Sequence, residues 1–433
     1  MTGVVWGASG SLAALSAPAR AALTERASPE ADELRHTVSR IIERVRERGD
    51  AALIEYAREF NGANLPALEV PRLVWDAALA RIDPAIRDGL VHAERNIAFV
   101  HAAFAPTSQE CTTPDGVRIG RRADPLDRVG VYAPGGRAAY PSSVLMGVVP
   151  ARIAGVREIV VCSPPRADGS LEDVVLAAAA VGGAHRVFAV GGAGGIAAMA
   201  YGTASVPRVD RIVGPGNAFV AEAKMQVASA VGIDLPAGPS ELLVLADASA
   251  SPAHVAIELI AQAEHDPRAA VVAVATSAPW VDALRTEVGR RVESQPRIDI
   301  VREAFRTRGA ALVARDVDEA LTFANEYAAE HVLLAVRNPD AWLTRLRNAG
   351  TVFLGAAPSV AFGDYMTGAN HVLPTGGLAR SYSGLSPLDF VRWTTYQIID
   401  REAAVRLAPH TEALALAEGL PAHAAAAGHW RAS

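Results

Sequence analysis

From about residue 128 onward, short apolar runs rich in β-branched residues end in glycine or proline and alternate with stretches of helical periodicity. One series reads "RVGVYAPGG", "EIVVCSPP", "RVFAVGG" and "RIVGPGN"; a second reads "ELLVLAD", "AAVVAVATS", "GAALVARD", "HVLLAV" and "TVFLG". Strand followed by helix, repeated, is the pattern of a parallel sheet wound on both faces, so two series predict two α/β units. Upstream, residues 30 to 60 carry apolar positions at helical spacing among charges and stop near Asn61 and Gly62, which predicts two surface helices. After about residue 386 the strand signals cease, and an alanine-rich helical tail is expected. The resulting division is a helical segment over 1–26, a discontinuous main α/β unit over 27–128 and 237–385 that carries the reacting groups, a second α/β unit over 129–236, and a helical tail over 386–433.

Within the second series, "SPAHVAIELIAQAEHDP" sets Ser251 as a helix N-cap and Pro252 at the first helical position, with Asp266 and Pro267 ending the helix. Gln262 and His265 lie three residues apart and so share a face of the last turn. Such a pair usually meets solvent, but it can also hold one ligand. In "VGGAGGIAA", Gly192, Gly194 and Ala197 fit the dinucleotide spacing G-x-G-x-x-A between strand and helix, with Asp210 downstream; a tight turn without a ligand reads equally well. Asn217 in "VGPGN" reads as a helix cap or as a ligand contact. Open parallel sheets bind ligands beyond the carboxyl ends of their strands, which makes these turns the places to look.

Composition narrows the function classes. The 433 residues exceed one comfortable core, and 50% of them are hydrophobic, enough to bury two or three. A net charge of -6 with both signs mixed leaves no basic stripe for nucleic acid or a lipid surface, so a small molecule is the expected partner. Of the 41 lysines and arginines only Lys224 is a lysine, an imbalance read here as base composition rather than chemistry. Cys111 and Cys162 are too few for a disulfide framework and lack metal-ligand spacing, which points to a reducing compartment. The N-terminus has no basic start ahead of its weak apolar run, and the longest uncharged run, residues 187 to 207, holds five glycines. Neither a secretory signal nor a membrane span is expected, and the chain is placed in the cytoplasm.

Of the 11 histidines, His36, His92, His101, His185 and His254 have no polar partners nearby in sequence and read as surface or packing residues. His265, His331, His371 and His423 are the informative ones. Glu330 and His331 adjoin where a helix gives way to a strand, and a carboxylate beside an imidazole can move protons there; the alternative is an exposed glutamate and a half-buried histidine. Asp364 and His371 share "FGDYMTGANHVLPTGG", a loop too rich in glycine and polar residues to be set by packing. Gln262, His265, Asp364 and His423 make a nitrogen and oxygen donor set without thiolate, suited to zinc and open to manganese or cobalt. Their spacing leaves open whether they converge.

Taken in order, "RGDAALIEYAREF", "DRVGVYAPGGRAAYPSSVLM", "GPGNAFVAEAK", "AGPSELLVLAD", "QAEHDP", "GDYMTGANHVLPTGG", "LSPLDFV" and "AEGLPAHA" resemble the histidinol dehydrogenase family over nearly the whole chain. The resemblance implies an α/β fold with two doubly wound, Rossmann-like and aldehyde-dehydrogenase-like units, the one over 129–236 binding NAD. It further implies a homodimer with shared active sites and one zinc per subunit, which oxidises L-histidinol to L-histidine through L-histidinal and reduces two NAD. On the matching positions Gln262, His265 and Asp364 are zinc ligands, and His423 is a ligand given to the partner subunit's site. These four, together with Ser240, His331, His371 and Glu418, are the implied substrate contacts, Glu418 also crossing between subunits. His331 is the implied base that takes the hydroxyl proton as hydride leaves, and Glu330 activates the water that adds to the aldehyde. Tyr132 and Asn217 match NAD contacts.

The chain departs from the family pattern in three places. Gly194 stands where a glutamine that touches NAD is usual, so the glycine fingerprint exists only through that replacement. Ala329 stands where proline usually precedes the Glu330–His331 pair, and the first 25 residues match poorly. Rival readings are a relative acting on another amino alcohol or diol, a zinc hydrolase using Glu330 and His331 on water, and a non-catalytic binding protein. The joint presence of Ser240, His371 and Glu418 favours histidinol over the first. NADH formation separates the second, and activity that survives Glu330→Gln and His331→Ala would mark the third.

Overall fold

The computed structural model describes residues 4–26, 31–135, 139–235, 238–355 and 359–431. The first series of strands builds a five-stranded sheet in the order Arg186–Ala189, Glu158–Ser163, Arg128–Tyr132, Arg211–Val213, Gly232–Ile233, every pair parallel. The earliest strand lies in the middle, so the chain winds outward to one edge and then to the other, leaving helices on both faces. The second series builds a six-stranded parallel sheet in the order Ala8–Ser11, Gly309–Val313, Ala270–Ala275, Glu241–Ala246, His331–Ala335, Thr351–Leu354. Glu241–Ala246 and Ala270–Ala275 are buried at every position, as a strand covered on both faces must be, which explains their unbroken apolar runs. The expected α/β architecture with two doubly wound sheets is therefore present.

The boundaries differ from the sequence reading in three respects. Residues 1–26 were expected to be helical; Ala17–Thr24 is a helix, but Ala8–Ser11 pairs with Gly309–Val313 as an edge strand. "ASGS" has little strand propensity of its own, and the open edge of the sheet supplies the conformation. The helices Ala31–Arg48, Asp50–Asn61, Arg72–Arg81 and Pro84–Ala103 were grouped with the second sheet. Their buried residues Val38, Leu53, Trp75 and Ile97 instead share one core with Val131, Val160 and Ile212 of the first sheet. An apolar helical stripe shows that a helix covers something, not which sheet it covers. Finally, the tail was expected to lack strands, yet Val391–Ile398 pairs antiparallel with Arg118–Pro125, which also pairs with Gln109–Thr112. "VRWTTYQI" is the β-branched and aromatic sequence such a ribbon needs. Past it the tail is helical, with Arg401–Ala417 and Pro421–Gly428 packed on each other.

Both sheets border one cleft. Turns after strands of the first sheet, with Pro134, Gly135 and Pro215, face residues at the start of second-sheet strands, with Ser240 and Glu330, across one cleft. The rule that ligands sit beyond carboxyl ends thus applies to the first sheet; the second offers its amino edge. No helix among the described residues is long and apolar enough to cross a membrane.

Candidate active site

Helix Val317–Tyr327 ends at Ala328, the one non-glycine residue with positive φ (51°) among the described residues, and this sharp turn delivers Glu330 and His331 to the start of the next strand. There His331 pairs in register with Leu242 on the strand Glu241–Ala246. The Glu241 N–H donates to Glu330 Oε2 at 2.7 Å. His331 Nδ1 lies 3.1 Å from the Glu241 carbonyl and 3.4 Å from Glu330 Oε2, and its Nε2 lies 3.7 Å from Asp364 Oδ1. A carbonyl can only accept, so Nδ1 carries the proton and a neutral ring keeps its lone pair on Nε2. Both side chains are buried. Burial raises the Glu330 carboxyl above its usual range against the pull of His331. Burial disfavours the His331 imidazolium, but Glu330, Asp364 and the Glu241 carbonyl outweigh it and push the ring up to about 9.

Sequence reasoning passed over the residue that holds this pair. Glu241 is buried; its carboxylate accepts from Arg26 Nε at 2.6 Å and Nη2 at 2.9 Å, and from the Gly376 N–H at 2.8 Å. Arg26 also donates to the Tyr327 carbonyl at 2.8 Å and lies over the Tyr327 ring, 3.7 Å from its centroid. The available signal was a glutamate opening an otherwise apolar buried strand, "ELLVLA".

The expected helix is present over Pro252–Ala263, its start capped by the Ser251 side chain, but it stops short of His265, which was expected in its last turn and instead follows the C-cap Glu264. Near its end Gln262 is 4% exposed, and neither its carboxamide nor the His265 ring has a hydrogen-bond partner among the described residues. Asp364 lies on the short helix Val360–Tyr365, anchored by Glu258, whose Oε2 accepts from the Val360 N–H at 2.9 Å and from Ser359 Oγ at 3.1 Å. His371 Nδ1 lies 2.8 Å from the Asp364 carbonyl, and burial pushes this ring below its ordinary value despite the nearby Asp364 carboxylate. Ser240, Gln262, His265, Glu330, His331, Asp364 and His371 all line one polar cleft of about 400 Å³. Among the described residues no three His, Cys, Asp or Glu side chains form a ready metal-binding group. The chain's own expected donors are one carboxamide, one imidazole and one carboxylate. Gln262, His265 and Asp364 open onto the same cleft, and a carboxamide oxygen, an imidazole and a carboxylate are donors that a divalent cation takes. The residues present therefore fit a nitrogen and oxygen metal site. His423 and Glu418 are exposed on the C-terminal helical segment and do not line this cleft.

A second cavity of about 370 Å³ lies at the carboxyl edge of the first sheet, with Tyr132, Gly192, Gly194 and Asn217 on one side and Leu53, Tyr56 and Phe60 on the other. Gly135 and Asn217 line both cavities, so the two adjoin. The Tyr132 hydroxyl accepts from the Gly192 N–H at 2.9 Å, and burial pushes the phenol up to about 12, so it stays protonated while it holds the turn. Asn217 Oδ1 accepts from the Val220 N–H at 3.2 Å, so the residue is a helix cap, and it also lines both cavities. Gly192 opens a helix after the strand Arg186–Ala189, the context a dinucleotide turn requires. Asp210 instead accepts from the Arg128 N–H at 2.8 Å and lines neither cavity. Cys162 is buried with its thiol pushed up to about 12, so it is not an activated nucleophile, and Cys111 is exposed on the strand Gln109–Thr112 and lines neither cavity.

Two doubly wound units that close on adjoining apolar and polar cavities, with a buried carboxyl–imidazole pair at the boundary, define an α/β enzyme working between its domains. A family model described as Histidinol dehydrogenase matches residues 24–431. The histidinol dehydrogenase of Methanosarcina mazei is 47% identical over 389 residues, covering 90% of each chain. That of Methanothermobacter thermautotrophicus is 45% identical over 402 residues, 93% of this chain and 94% of the relative. The crystal structure of histidinol dehydrogenase from Elizabethkingia anophelis matches with a TM-score of 0.93 at 33% identity, covering 98% of this chain and 97% of that one. The chain belongs to the histidinol dehydrogenase family and is an oxidoreductase of histidine biosynthesis.

Proposed function

We propose that this chain oxidises L-histidinol to L-histidine through L-histidinal in the cytoplasm, with NAD as hydride acceptor and zinc as resident metal. The observation that carries the reading is one cleft lined by Gln262, His265 and Asp364 together with the buried Glu330–His331 pair, adjoining at Gly135 and Asn217 a cavity at the carboxyl edge of the 129–236 unit. Gln262, His265 and Asp364 would hold zinc, which when bound supplies a Lewis-acid anchor for the substrate's imidazole and amino nitrogens.

The protein's part is then proton transfer and placement. His331, its Nδ1–H held by the Glu241 carbonyl, is placed to take the carbinol hydroxyl proton at Nε2, while bound NAD would supply the hydride acceptor. A cation held by Asp364 would offset one of the charges that raise His331. Glu330, with Oε2 held by Glu241 and Oε1 without a hydrogen-bond partner among the described residues, takes a proton from the water that adds to the aldehyde. As the water adds, His331 returns its proton to the aldehyde oxygen, and the neutral ring can take a hydroxyl proton again while the hydrated aldehyde would lose a second hydride to a second NAD, giving the carboxylic acid. Ser240 and His371 orient the substrate, and Tyr132 and Asn217 bound the NAD cavity.

The reading includes a homodimer in which His423 and Glu418 complete the other subunit's cleft. Exposed Leu414, Leu416, Leu420 and Trp430 surround these residues in the C-terminal segment, an apolar surface that a second copy would cover. The test is NADH formation on adding L-histidinol and NAD to zinc-loaded protein, with L-histidine as product and two NADH per histidinol. Zinc-loaded, folded protein that forms no NADH refutes the reading.

A further inference from the structure

The chain's single lysine is among its most deeply buried side chains: Lys224 is 2% exposed. Base composition accounts for arginine on the surface; it does not account for the one position where arginine is absent from a buried ion pair. Lys224 lies on helix Ala218–Val227, and its Nζ donates to the carbonyls of Gly214 at 3.1 Å and Leu235 at 3.0 Å and contacts Asp234 Oδ1. One compact ammonium nitrogen thus donates to two carbonyls and pairs with a carboxylate, an arrangement the planar fork of a guanidinium cannot reproduce in the same space. Asp234 Oδ2 in turn accepts from the Gly214 N–H at 2.8 Å. Both polar groups of Gly214 are therefore held by the buried pair. Gly214 has φ 113°, and a Cβ there would sit 2.2 Å from the Tyr132 carbonyl oxygen, so the turn is pressed against the end of the central strand.

The residues just after Gly214 form the wall between the cavities. Pro215, Gly216 and Asn217 line the polar cleft, and Asn217 also lines the cavity at the first sheet. Lys224 also holds the carbonyl of Leu235, five residues before Ser240, which lines the same cleft. We propose that Lys224 and Asp234 are positioning residues that fix the turn over residues 214 to 217 and so set the separation across which hydride passes from substrate to cofactor. This rests on the NAD-linked reading above and adds to it the residues that hold the two sites in register. Displacement of one reacting partner by about an ångström costs on the order of a hundredfold in rate, so a small shift of this turn is felt in turnover before it is felt in binding.

The zinc-loaded enzyme and its Lys224→Arg and Lys224→Met variants decide the matter. Both variants are expected to lose at least about tenfold in kcat per folded, zinc-loaded site, with the calorimetric Kd for histidinol changed by no more than about threefold and arginine no better than methionine. Unchanged kcat per site in either variant, with any loss traced to unfolded protein, overturns the proposal. A second measurement needs no substitution. Protein labelled with [6-¹³C]lysine gives a single lysine side-chain resonance, from Lys224, and saturating NAD is expected to shift it. NAD that binds by calorimetry without moving this resonance overturns the positioning role alone; NAD that gives no binding heat sinks the NAD-linked reading and the proposal with it.

Discussion

The backbone N–H of Glu241 donates to the carboxylate of Glu330 at 2.7 Å, and the carbonyl of the same residue faces His331 Nδ1 at 3.1 Å. One residue's main chain thus orients both members of the reacting pair, and its side chain is clamped by Arg26. Arg26→Met leaves the Glu241 carboxylate buried with its counter-charge gone, which is expected to cost about 3–5 kcal/mol of stability. The double variant Arg26→Met/Glu241→Gln leaves no unpaired charge and costs less than the two single changes added together. Urea unfolding of the four proteins measures this, and strictly additive losses rule out the coupling.

Glu330→Gln removes the strongest of the influences that raise His331. In metal-free protein the ring is pushed up to about 9, and losing the carboxylate removes the charge that favours the imidazolium, so its ionisation moves down. Histidine NMR on wild type and variant reads the shift. Turnover is expected to fall by about 10²–10⁴, more severely with L-histidinal than with L-histidinol in single-turnover assays, because only the aldehyde step needs an activated water. Intact histidinal oxidation in this variant would remove Glu330 from the proposed role.

His101, on helix Pro84–Ala103, is 2% exposed with neither ring nitrogen hydrogen-bonded, and burial lowers it from 6.5 to about 4. The unfolded chain takes up this proton near pH 6.5, whereas the folded protein resists it until pH is near 4. Protons therefore favour unfolding across that window: the contribution is complete above the unfolded value and lost as pH falls through the folded one. His101→Leu should flatten the fall in urea midpoint between pH 6.5 and 4. An acid slope as steep as that of wild type would show that other groups set it.

Gly194 lies inside helix Gly192–Tyr201, where a Cβ would approach Leu53 Cδ2 at 3.3 Å and Tyr56 Cδ2 at 3.7 Å. Both are ends of side chains that can yield. Gly194→Gln should gain about 0.5–1 kcal/mol from helix propensity, less the cost of moving Leu53. Gly194 also lines the cavity assigned to NAD, so the restored amide is expected to lower KM for NAD while kcat for histidinol stays the same. A raised KM for NAD would mean that the side chain blocks the cavity instead of lining it.

Legibility in the chain depends on which interactions are local. Gln262 was readable from the Ser251–Pro252 start and the helical spacing, and Glu330 and His331 because they are neighbours at a junction, whereas His265 reaches the same cleft from the bend past the helix end rather than from a shared helical face. Glu241 was not, since its hold on that pair uses an N–H and a carbonyl that nearly every residue has. Arg26 meets Glu241 across 215 residues, a contact no local pattern carries. Lys224 was visible as an oddity of composition, but only its two carbonyl acceptors and its carboxylate partner give the oddity a meaning. The strands were legible as apolar runs. Which sheet the helices of residues 31–103 cover, and the edge strand Ala8–Ser11, are decided by tertiary contacts.

His265 lines the cleft, whereas His423 is exposed on the helix Pro421–Gly428 and lines no part of it, so one chain does not bring the two together. If the tail of a second copy completes the site, His265→Ala spoils a subunit's own cleft, and His423→Ala spoils the cleft of its neighbour. Each variant alone is then expected to bind less zinc and to be nearly inactive. In a mixed dimer, the cleft of the His423→Ala chain keeps its own His265 and receives an intact His423 from the His265→Ala chain, while the other cleft lacks both. Random pairing makes half the dimers mixed with one good site each, so about a quarter of wild-type activity should return. Differently tagged chains allow the mixed dimer to be isolated, where one zinc per dimer and half the wild-type turnover are expected. Isolated mixed dimers that recover neither zinc nor NADH formation would exclude a site shared between subunits.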